Sequence, residues 1–236
     1  MPAVQAVIFD LYLTLIDIRT NEGKDEVWDT LSMFAAYHGR DIGAGHFKRE
    51  YESAVEHHLR ESPEKHPEVD LKAVFAKILS VKPPMQEFLP EAFCRLFRVL
   101  SRERFGLFPE TFPVLNAIRE AGLPMALVSN AQRVFTLDEM RMLGLVDYFK
   151  AVVFSSDYGF QKPDARLFSM ACTSIGVDPK SAVYVGDNPD VDPGGPIELG
   201  MKAIILNRQG NNSTSHGKPY VSVRDLREAW DKIRQG

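Results

Sequence analysis

Five short apolar runs, each ending in a polar or acidic residue, constrain the fold of this chain more than any other feature. The runs are rich in β-branched and aromatic residues and almost continuously apolar, which is typical of strands buried on both faces of a parallel sheet. Amphipathic segments of helix length precede each run except the first. The alternation predicts an α/β fold with a doubly wound parallel sheet. The runs are "AVIFD" ending at Asp10, "MALVSN" at Asn130, "AVVFSSD" at Asp157, "AVYVGD" at Asp187 and "KAIILN" at Asn207.

One long segment interrupts this alternation. From about Arg19 to Arg104 the sequence shows no strand-like run, and its segments carry apolar residues at the i, i+3, i+4 spacing of amphipathic helices. The last of these helical segments is "PEAFCRLFRVLSRERFG". We therefore expect residues 1–18 and 104–236 to form the α/β core, and residues 19–103 to form a small α-helical domain inserted after the first strand. Beyond the fifth run we expect a polar loop, a short strand and a closing helix.

Composition excludes several classes of protein. Hydrophobic residues make up 44% and charged residues 25% of the chain, values typical of a globular protein rather than a disordered one. A net charge of −4 argues against a nucleic-acid surface. No run approaches the ~18 apolar residues of a membrane span. Cys94 and Cys172 lack the spacing of metal ligands, so we expect buried free thiols in a cytoplasmic protein. The choice between monomer and homodimer stays open.

The ends of the predicted strands hold the candidate functional residues, because ligands in open α/β sheets bind beyond the carboxyl ends of the strands. Paired carboxylates suit Mg²⁺, whereas a lysine and a hydroxyl–amide pair suit a phosphoryl group. Asp10 could attack an electrophile and form a covalent intermediate, although an aspartate at this place can also cap a turn. The candidates at strand ends are Asp10, Ser129, Asn130, Asp157 and Asp187, and those just beyond are Tyr12, Thr14, Lys162, Asp190 and Asp192.

Four of these segments, in this order, resemble the motifs of the haloacid dehalogenase-like hydrolase superfamily. The first motif, Asp-x-Asp-x-Thr after a strand, matches Asp10 to Thr14 except at its second aspartate. The second matches "LVSN" at Ser129, the third matches "KPD" at Lys162, and the fourth matches "GD" followed five residues later by Asp192. The helical insert lies where this family carries its cap. The resemblance implies a Rossmann-like core with a small α-helical cap domain.

The resemblance also implies a role for each residue. Asp10 would be the nucleophile, and Lys162 would hold it in place and neutralise charge. Ser129 and Asn130 would bind the substrate together with Lys162, and Thr14 would position the loop after the first strand. The implied Mg²⁺ site consists of Asp10, the backbone carbonyl of Tyr12, Asp187 and, directly or in support, Asp192.

Tyr12 departs from the phosphatases of this family. They carry a second aspartate here, which protonates the leaving group and then activates water. A phenol with a pKa of about 10 is a poor base near neutral pH. The 2-haloacid dehalogenases of the superfamily carry a tyrosine at this place, and a halide leaves without needing a proton. The pair Ser129 and Asn130 also resembles that subfamily.

Other residues favour a phosphatase. Dehalogenases need no metal, and without a cation Asp187 and Asp192 would repel each other and a carboxylate substrate. The dehalogenase tyrosine after "KPD" is replaced by Phe168, and the usual glycine between Tyr12 and Thr14 is replaced by Leu13. A dehalogenase also uses a cap arginine to bind the substrate carboxylate. That arginine has no clear match, the nearest candidates being Arg40, Lys48 and Arg49.

We therefore expect a Mg²⁺-dependent phosphatase that acts on a small phosphorylated metabolite and works best on activated phosphates, which need little help from a proton donor. A 2-haloacid dehalogenase, a non-catalytic binding or regulatory protein on this fold, and another group transfer remain the alternatives. The cap would close over the site and select the substrate. Candidate cap contacts are Trp28, Tyr37, His38, Lys48, Tyr51, His57 and His58.

Overall fold

A parallel six-stranded sheet forms the centre of the protein in a computed structural model, which describes residues 4–80, 88–208 and 219–235. Its strand order is β5-β4-β1-β6-β7-β8. The chain runs outward from β1 on one side and returns to build the other side, so the predicted doubly wound α/β fold is confirmed. The strands are β1 (Ala6–Phe9), β2 (Ile16–Thr20), β3 (Arg102–Leu107), β4 (Met125–Ser129), β5 (Ala151–Phe154), β6 (Ala182–Gly186), β7 (Lys202–Leu206) and β8 (Val221–Val223).

Helices cover both faces of the sheet, which explains why its strands are apolar without alternation. Successive residues of β1 point to opposite faces: Val7 and Phe9 belong to one apolar cluster, Ala6 and Ile8 to another. The core helices are α5 (Thr111–Glu120), α6 (Arg133–Met142), α7 (Ala165–Ile175), α8 (Gly194–Glu198) and α9 (Leu226–Gln235). The expected short strand and closing helix at the end of the chain are β8 and α9, whereas the polar loop expected before them falls mostly in 209–218, outside the described residues.

Four α-helices lie between β2 and β3 in the described part of the chain, namely α1 (Asp25–Tyr37), α2 (Ala44–Glu61), α3 (Leu71–Leu79) and α4 (Leu89–Ser101). They bury an apolar cluster of their own, rich in phenylalanine. Trp28 packs edge-on against Phe47 inside this cluster and is 3% exposed, so it belongs to the core of the insert rather than to a substrate surface. Tyr37 is mostly exposed. No helix among the described residues is long and apolar enough to cross a membrane.

The strand pair β2–β3 corrects one expectation. The sequence showed no strand between Arg19 and Arg104, yet β2 extends into the beginning of that segment and β3 starts before its end, and the two pair antiparallel. Helix α4 ends at Ser101 instead of continuing through the following polar residues. These strands are polar and half exposed, so they lack the apolar pattern that identifies buried strands. Cross-strand contacts such as Arg104 with Asp17, at 3.2 Å, form only after the two segments meet. The pair links the insert to the sheet.

Candidate active site

The sheet register brings three strand ends together. Phe9 of β1 lies opposite Leu127 of β4 and opposite Val185 of β6. Asp10 follows directly after Phe9, and its backbone N–H donates to the Val185 carbonyl at 2.9 Å. The carboxyl ends of β4, β1 and β6 therefore meet where the strand order reverses, which is the usual ligand position in a doubly wound sheet.

Lys162 is buried where the carboxyl ends of these three strands meet. Its ammonium group donates to Asp10 Oδ1 at 2.8 Å, to Asp192 Oδ1 at 2.7 Å and to the Tyr184 hydroxyl at 2.9 Å. Burial alone would lower the pKa of Lys162, but Asp10 and Asp192 outweigh it and the pKa is raised. Lys162 is thus a permanent cation beside the Asp10 carboxylate.

Asp10, Asp187 and Asp192 form an acidic cluster, with one oxygen of each lying within 4.8 Å of the others. Burial is the main reason that the pKa of Asp10 is raised, and Lys162 opposes that rise. The pKa of Asp187 is raised to about 7 by burial and by the charges of Asp10 and Asp192. Burial is thus the main effect that disfavours the charged carboxylates, their mutual repulsion adds to it, and a bound cation would favour the charged forms.

Asp192 is hydrogen-bonded within the protein through its whole carboxylate. Both of its oxygens are occupied: Oδ1 accepts from Lys162 and from Tyr184, and Oδ2 accepts from the backbone N–H groups of Asp187 and Asn188 at 2.9 and 2.8 Å. It therefore orients Lys162 and the loop that carries Asp187. This arrangement fits a supporting role better than direct metal ligation.

Gly186 makes that close approach possible. A Cβ atom added at Gly186 would lie 2.3 Å from Asp192 Oδ2, nearer than any real Cβ contact. Only glycine lets the carboxylate of Asp192 reach the backbone that follows β6. The "GD" pattern at the end of this strand thus has a steric cause.

The loop after Asp10 contributes Thr14. The Thr14 hydroxyl lies 3.5 Å from Asp10 Oδ2 and 3.5 Å from Asp187 Oδ1, so it stands between the two carboxylates. Leu13 in the same loop has φ of +60°, a left-handed value that is unusual for a residue other than glycine. The backbone at Leu13 therefore has a conformation that glycine adopts easily, although the residue is a leucine.

Ser129 and Asn130 end β4 beside Asp10. Ser129 is buried at the last position of the strand. The Asn130 side chain accepts from the Lys162 backbone N–H at 2.7 Å and donates to the Gln161 side chain at 3.1 Å. Asn130 therefore holds the loop that carries Lys162, and the amide predicted to bind substrate is already engaged in the protein.

Tyr12 directs its hydroxyl away from the acidic cluster, toward α6. The phenol donates to Glu139 Oε2 at 2.6 Å and contacts the Thr136 hydroxyl at 2.9 Å. Burial, followed by the nearby Glu139 carboxylate, raises the pKa of Tyr12, while Arg98 opposes that rise. The phenol is therefore engaged as a hydrogen-bond donor to Glu139 rather than to Asp10.

Arg98 completes this contact from the insert. It donates to both oxygens of Glu139, at 2.7 and 3.0 Å, and its guanidinium lies 4.8 Å from the centre of the Tyr12 ring. Glu139 is 2% exposed. A buried ion pair between α4 and α6 thus contacts the residue that lies two positions after Asp10.

A second contact joins the insert to the core near Lys162. The backbone N–H of Gln161 donates to the His66 carbonyl at 2.8 Å, and that of Glu68 donates to the Gly159 carbonyl at 3.0 Å. The buried Glu68 carboxylate accepts from the Ser155 hydroxyl, and burial raises its pKa. The linker between α2 and α3 therefore packs on the loop that precedes Lys162.

Two further candidates lie elsewhere. Asp157 is the last residue of a short 3₁₀ turn after β5, and its carboxylate pairs with Arg133 at 2.6 Å. Asp190 is exposed, and its backbone N–H donates to Asn188. Of the cap cations considered for a substrate carboxylate, Arg40 donates to the Ile78 carbonyl and to Glu50 inside the insert. These side chains do not join the acidic cluster.

Sequence reasoning missed Tyr184, Glu139 and Arg98. Tyr184 looks like an ordinary aromatic in a buried strand, and only its phenol, buried against Asp192, marks it as polar. Glu139 and Arg98 lie 41 positions apart on different helices and meet only in the folded protein. A glutamate on the buried face of α6 was the one available signal.

The comparisons with known proteins agree with this geometry. A family model of haloacid dehalogenase-like hydrolases matches residues 4–195. A phosphoserine phosphatase from Thermus thermophilus is 36% identical over 142 residues, which cover 60% of this chain and 55% of that protein. A glyceraldehyde 3-phosphate phosphatase from Methanopyrus kandleri is 34% identical over 133 residues, covering 54% of this chain and 57% of that protein. The chain thus spans little more than half the length of these curated relatives.

A solved structure shows the same fold over the full length. The crystal structure of a 2-haloacid dehalogenase from Pseudomonas syringae pv. Tomato matches with a TM-score of 0.71 at 24% identity, and the match covers 98% of each chain. At this identity the likeness shows the fold alone. The family match extends over most of the chain and includes all four strand-end segments. The chain therefore belongs to the haloacid dehalogenase-like hydrolases.

Proposed function

We propose that the protein is a Mg²⁺-dependent phosphatase that uses Asp10 as nucleophile on a small phosphorylated metabolite. The observation that carries this proposal is the acidic cluster, in which Asp10, Asp187 and Asp192 present oxygens within 4.8 Å of one another next to the Lys162 ammonium. A site that combines a place for a metal ion with a fixed ammonium group suits the negatively charged oxygens of a phosphoryl group.

The side chains present fit Mg²⁺. Its preferred ligands are carboxylate and carbonyl oxygens at about 2.1 Å, so two oxygens on one ion lie at most about 4.2 Å apart. One oxygen of Asp10 and one of Asp187 lie within 4.8 Å of each other, so an approach of at most about 0.6 Å would bring them within this limit. Asp10, Asp187 and the Tyr12 carbonyl would hold the ion, and Asp192 would support them. When bound, Mg²⁺ would neutralise charge on the phosphoryl oxygens and on the clustered carboxylates.

Asp10 would attack phosphorus in line, forming an Asp10–phosphorus bond while the bond to the leaving oxygen breaks. Lys162 would hold Asp10 and stabilise negative charge on the transferring group. Ser129 would donate a hydrogen bond to a phosphoryl oxygen, and Asn130 would keep the Lys162 loop in place. Water would then attack phosphorus, releasing phosphate and restoring the Asp10 carboxylate.

The position of Tyr12 supports a preference among substrates. Its phenol donates to Glu139 rather than toward Asp10, so it would supply no proton to a leaving alkoxide. Acyl and aryl phosphates have leaving groups that need no such proton, so the missing proton donor would lower their turnover least. We therefore expect faster turnover of activated phosphates than of alkyl phosphates.

The similar proteins support this class of reaction, since the two curated relatives described above are phosphatases by name. A small-molecule substrate and a cytoplasmic location belong to the same proposal. Two buried free thiols, Cys94 and Cys172, are in keeping with a reducing compartment.

The alternative activity, 2-haloacid dehalogenation, has one observation in its favour. Tyr12 stands where dehalogenases carry a tyrosine, and Arg98 of the insert lies over its ring. However, Glu139 already pairs with Arg98 through both oxygens, so this arginine has no free charge for a substrate carboxylate. The acidic cluster would also repel that carboxylate.

A screen of small substrates with and without Mg²⁺ tests the proposal. The panel would hold p-nitrophenyl phosphate, acetyl phosphate, a sugar phosphate and L-2-chloropropionate, each with added MgCl₂ or EDTA. We expect phosphate release that requires Mg²⁺ and is slowest on the sugar phosphate. Chloride release that persists in EDTA would instead identify a dehalogenase, and no turnover of any compound would favour a binding protein.

A further inference from the structure

Arg208, which lies shortly after β7, contacts the loop between Asp10 and Thr14. It does so at Leu13, the residue of that loop with an unfavourable backbone conformation. Its Nε donates to the Leu13 carbonyl at 3.2 Å, and its Nη2 donates to the Thr14 carbonyl at 2.8 Å. One planar guanidinium therefore binds two successive carbonyls of the loop that connects Asp10 to Thr14. Neither Arg208 nor its carboxylate partner Glu110 belongs to the sequence motifs of the site.

Leu13 needs external support to keep its conformation. A φ of +60° is unfavourable for any residue with a Cβ atom. The Leu13 side chain is 45% exposed, so its own packing contributes little. Some N–H groups of this loop are bonded within it, such as Leu13 N–H to the Ile16 carbonyl at 2.7 Å and Leu15 N–H to the Leu11 carbonyl at 2.8 Å. The carbonyls of Leu13 and Thr14 instead receive hydrogen bonds from Arg208.

Arg208 is itself held in one orientation. Its Nη1 donates to Glu110 Oε1 at 2.6 Å, and Glu110 is largely buried. Its guanidinium lies 3.5 Å from the centre of the Phe108 ring. Glu110 and Phe108 come from the segment between β3 and α5, so the guanidinium plane is fixed on two sides before it reaches the loop. A lysine could not make these contacts together, because it has no planar fork of donors.

We propose that Arg208, oriented by Glu110, is a positioning residue that sets the Leu13 conformation and thereby the places of the Thr14 hydroxyl and the Tyr12 carbonyl beside Asp10 and Asp187. The proposal rests on the proposed function for its catalytic consequence. It predicts that Arg208 affects the rate of reaction at a bound phosphate and leaves substrate binding nearly unchanged. Displacement of reacting groups by about 1 Å can lower a rate by about a hundredfold.

The test compares Arg208→Lys and Glu110→Gln with the wild type. Arg224→Lys serves as the matched control, because Arg224 pairs with Glu228 on the exposed start of α9. We expect Arg208→Lys to lower kcat on p-nitrophenyl phosphate by about ten- to a hundredfold, with KM within about twofold. Glu110→Gln should lower kcat less, since the Gln amide oxygen can still accept a hydrogen bond from Arg208. Arg224→Lys should have the kcat of the wild type.

Amide hydrogen exchange supplies a readout that needs no activity. In Arg208→Lys we expect faster exchange in residues 11–16 and unchanged exchange in α7. Unchanged exchange in residues 11–16 would overturn the proposal, and so would local loosening without a fall in kcat. Faster exchange throughout the core with a lower Tm would show a general structural role and would also overturn it. If the wild type hydrolyses no phosphate, the proposed function fails, and the exchange data alone decide whether Arg208 fixes the loop.

Discussion

The phenol of Tyr12 donates a 2.6 Å hydrogen bond to Glu139, on a helix at the edge of the site, and not to the carboxylate of Asp10. Arg98 of the insert binds the same Glu139 carboxylate. Two positions after Asp10 the chain therefore carries a contact between core and insert, where the family's phosphatases carry a proton donor. This difference at position 12 is the basis of the substrate preference proposed above.

Tyr12→Asp should restore a proton donor. We expect turnover of a sugar phosphate to rise relative to that of p-nitrophenyl phosphate, because only the alkyl leaving group needs the proton. Tyr12→Phe is the matched control: it removes the hydroxyl without adding an acid, so it should keep the wild-type preference for the activated substrate. Steady-state kinetics on both substrates measure the ratio, and an equal ratio in all three proteins would contradict this account of Tyr12.

Glu139→Ala should destabilise the protein strongly. Removal of one partner of a buried ion pair leaves the Arg98 charge uncompensated, at a cost of about 3–5 kcal/mol in the free energy of unfolding. Asp138→Ala, one residue away, removes a carboxylate from exposed pairs with Arg95 and Arg141 and should cost less than about 1 kcal/mol. Urea denaturation of the two variants measures both values, and similar losses would show that the Arg98–Glu139 contact is not special.

Mg²⁺ binding should strengthen as the pH rises. The pKa of Asp187 is about 7 without metal, because of burial and the neighbouring Asp10 and Asp192, so the group is protonated below that pH and cannot ligate. We expect affinity to increase about tenfold between pH 6 and pH 8, with proton release on binding near pH 7. Titration calorimetry in buffers of different ionisation enthalpy measures both, and an affinity that is flat across this range would argue against Asp187 as a ligand.

The same raised pKa has the opposite effect on the metal-free protein. The folded state retains a proton that the unfolded state releases, since the ordinary pKa of an aspartate is 3.8, and burial with the neighbouring charges raises the pKa of Asp187 to about 7. The contribution of this group to stability therefore falls as the pH rises through that window. Saturating Mg²⁺ should abolish this fall, because the ion binds only the folded state with Asp187 ionised, so that neither state then retains the proton in this pH range.

Cys94 and Cys172 should resist thiol reagents in the native protein. Burial raises the pKa of Cys94 to about 12 and that of Cys172 to about 11, so the reactive thiolate is scarce at pH 8. Ellman's reagent should label both cysteines after denaturation and neither in the folded protein. Rapid labelling of the native enzyme at pH 8 would show that one of these segments opens easily.

The sequence alone could predict the sheet and the residues at its strand ends. Runs such as the one that ends at Asp10 are buried on both faces, so their apolar pattern depends little on tertiary detail. Parallel strands place their carboxyl ends at one edge, which is why Asp10 and Asp187 could be grouped before any coordinates. The single-residue departures at Tyr12 and Leu13 were visible by comparison with the first motif of the family that the sequence resembles.

Contacts between distant segments could not be predicted. The polar pair β2–β3 is stable because of its partner and its place between core and insert, and neither appears in a local pattern. The side chains of Glu139 and Arg208 contact the loop after Asp10 from α6 and from the residues that follow β7. Asn130 could be placed at its strand end from the sequence, whereas its hydrogen bond to the backbone N–H of Lys162 could not be predicted.

The central claim is that Asp10 becomes phosphorylated during turnover. Enzyme mixed with p-nitrophenyl phosphate and Mg²⁺ can be quenched in acid and reduced with borohydride, which converts an aspartyl phosphate to homoserine that mass spectrometry can locate. The account predicts homoserine at position 10 in the wild type, dependent on Mg²⁺ and lost in Asp10→Asn. Phosphate release at full rate with position 10 unmodified, or with the mark on another carboxylate, would contradict it.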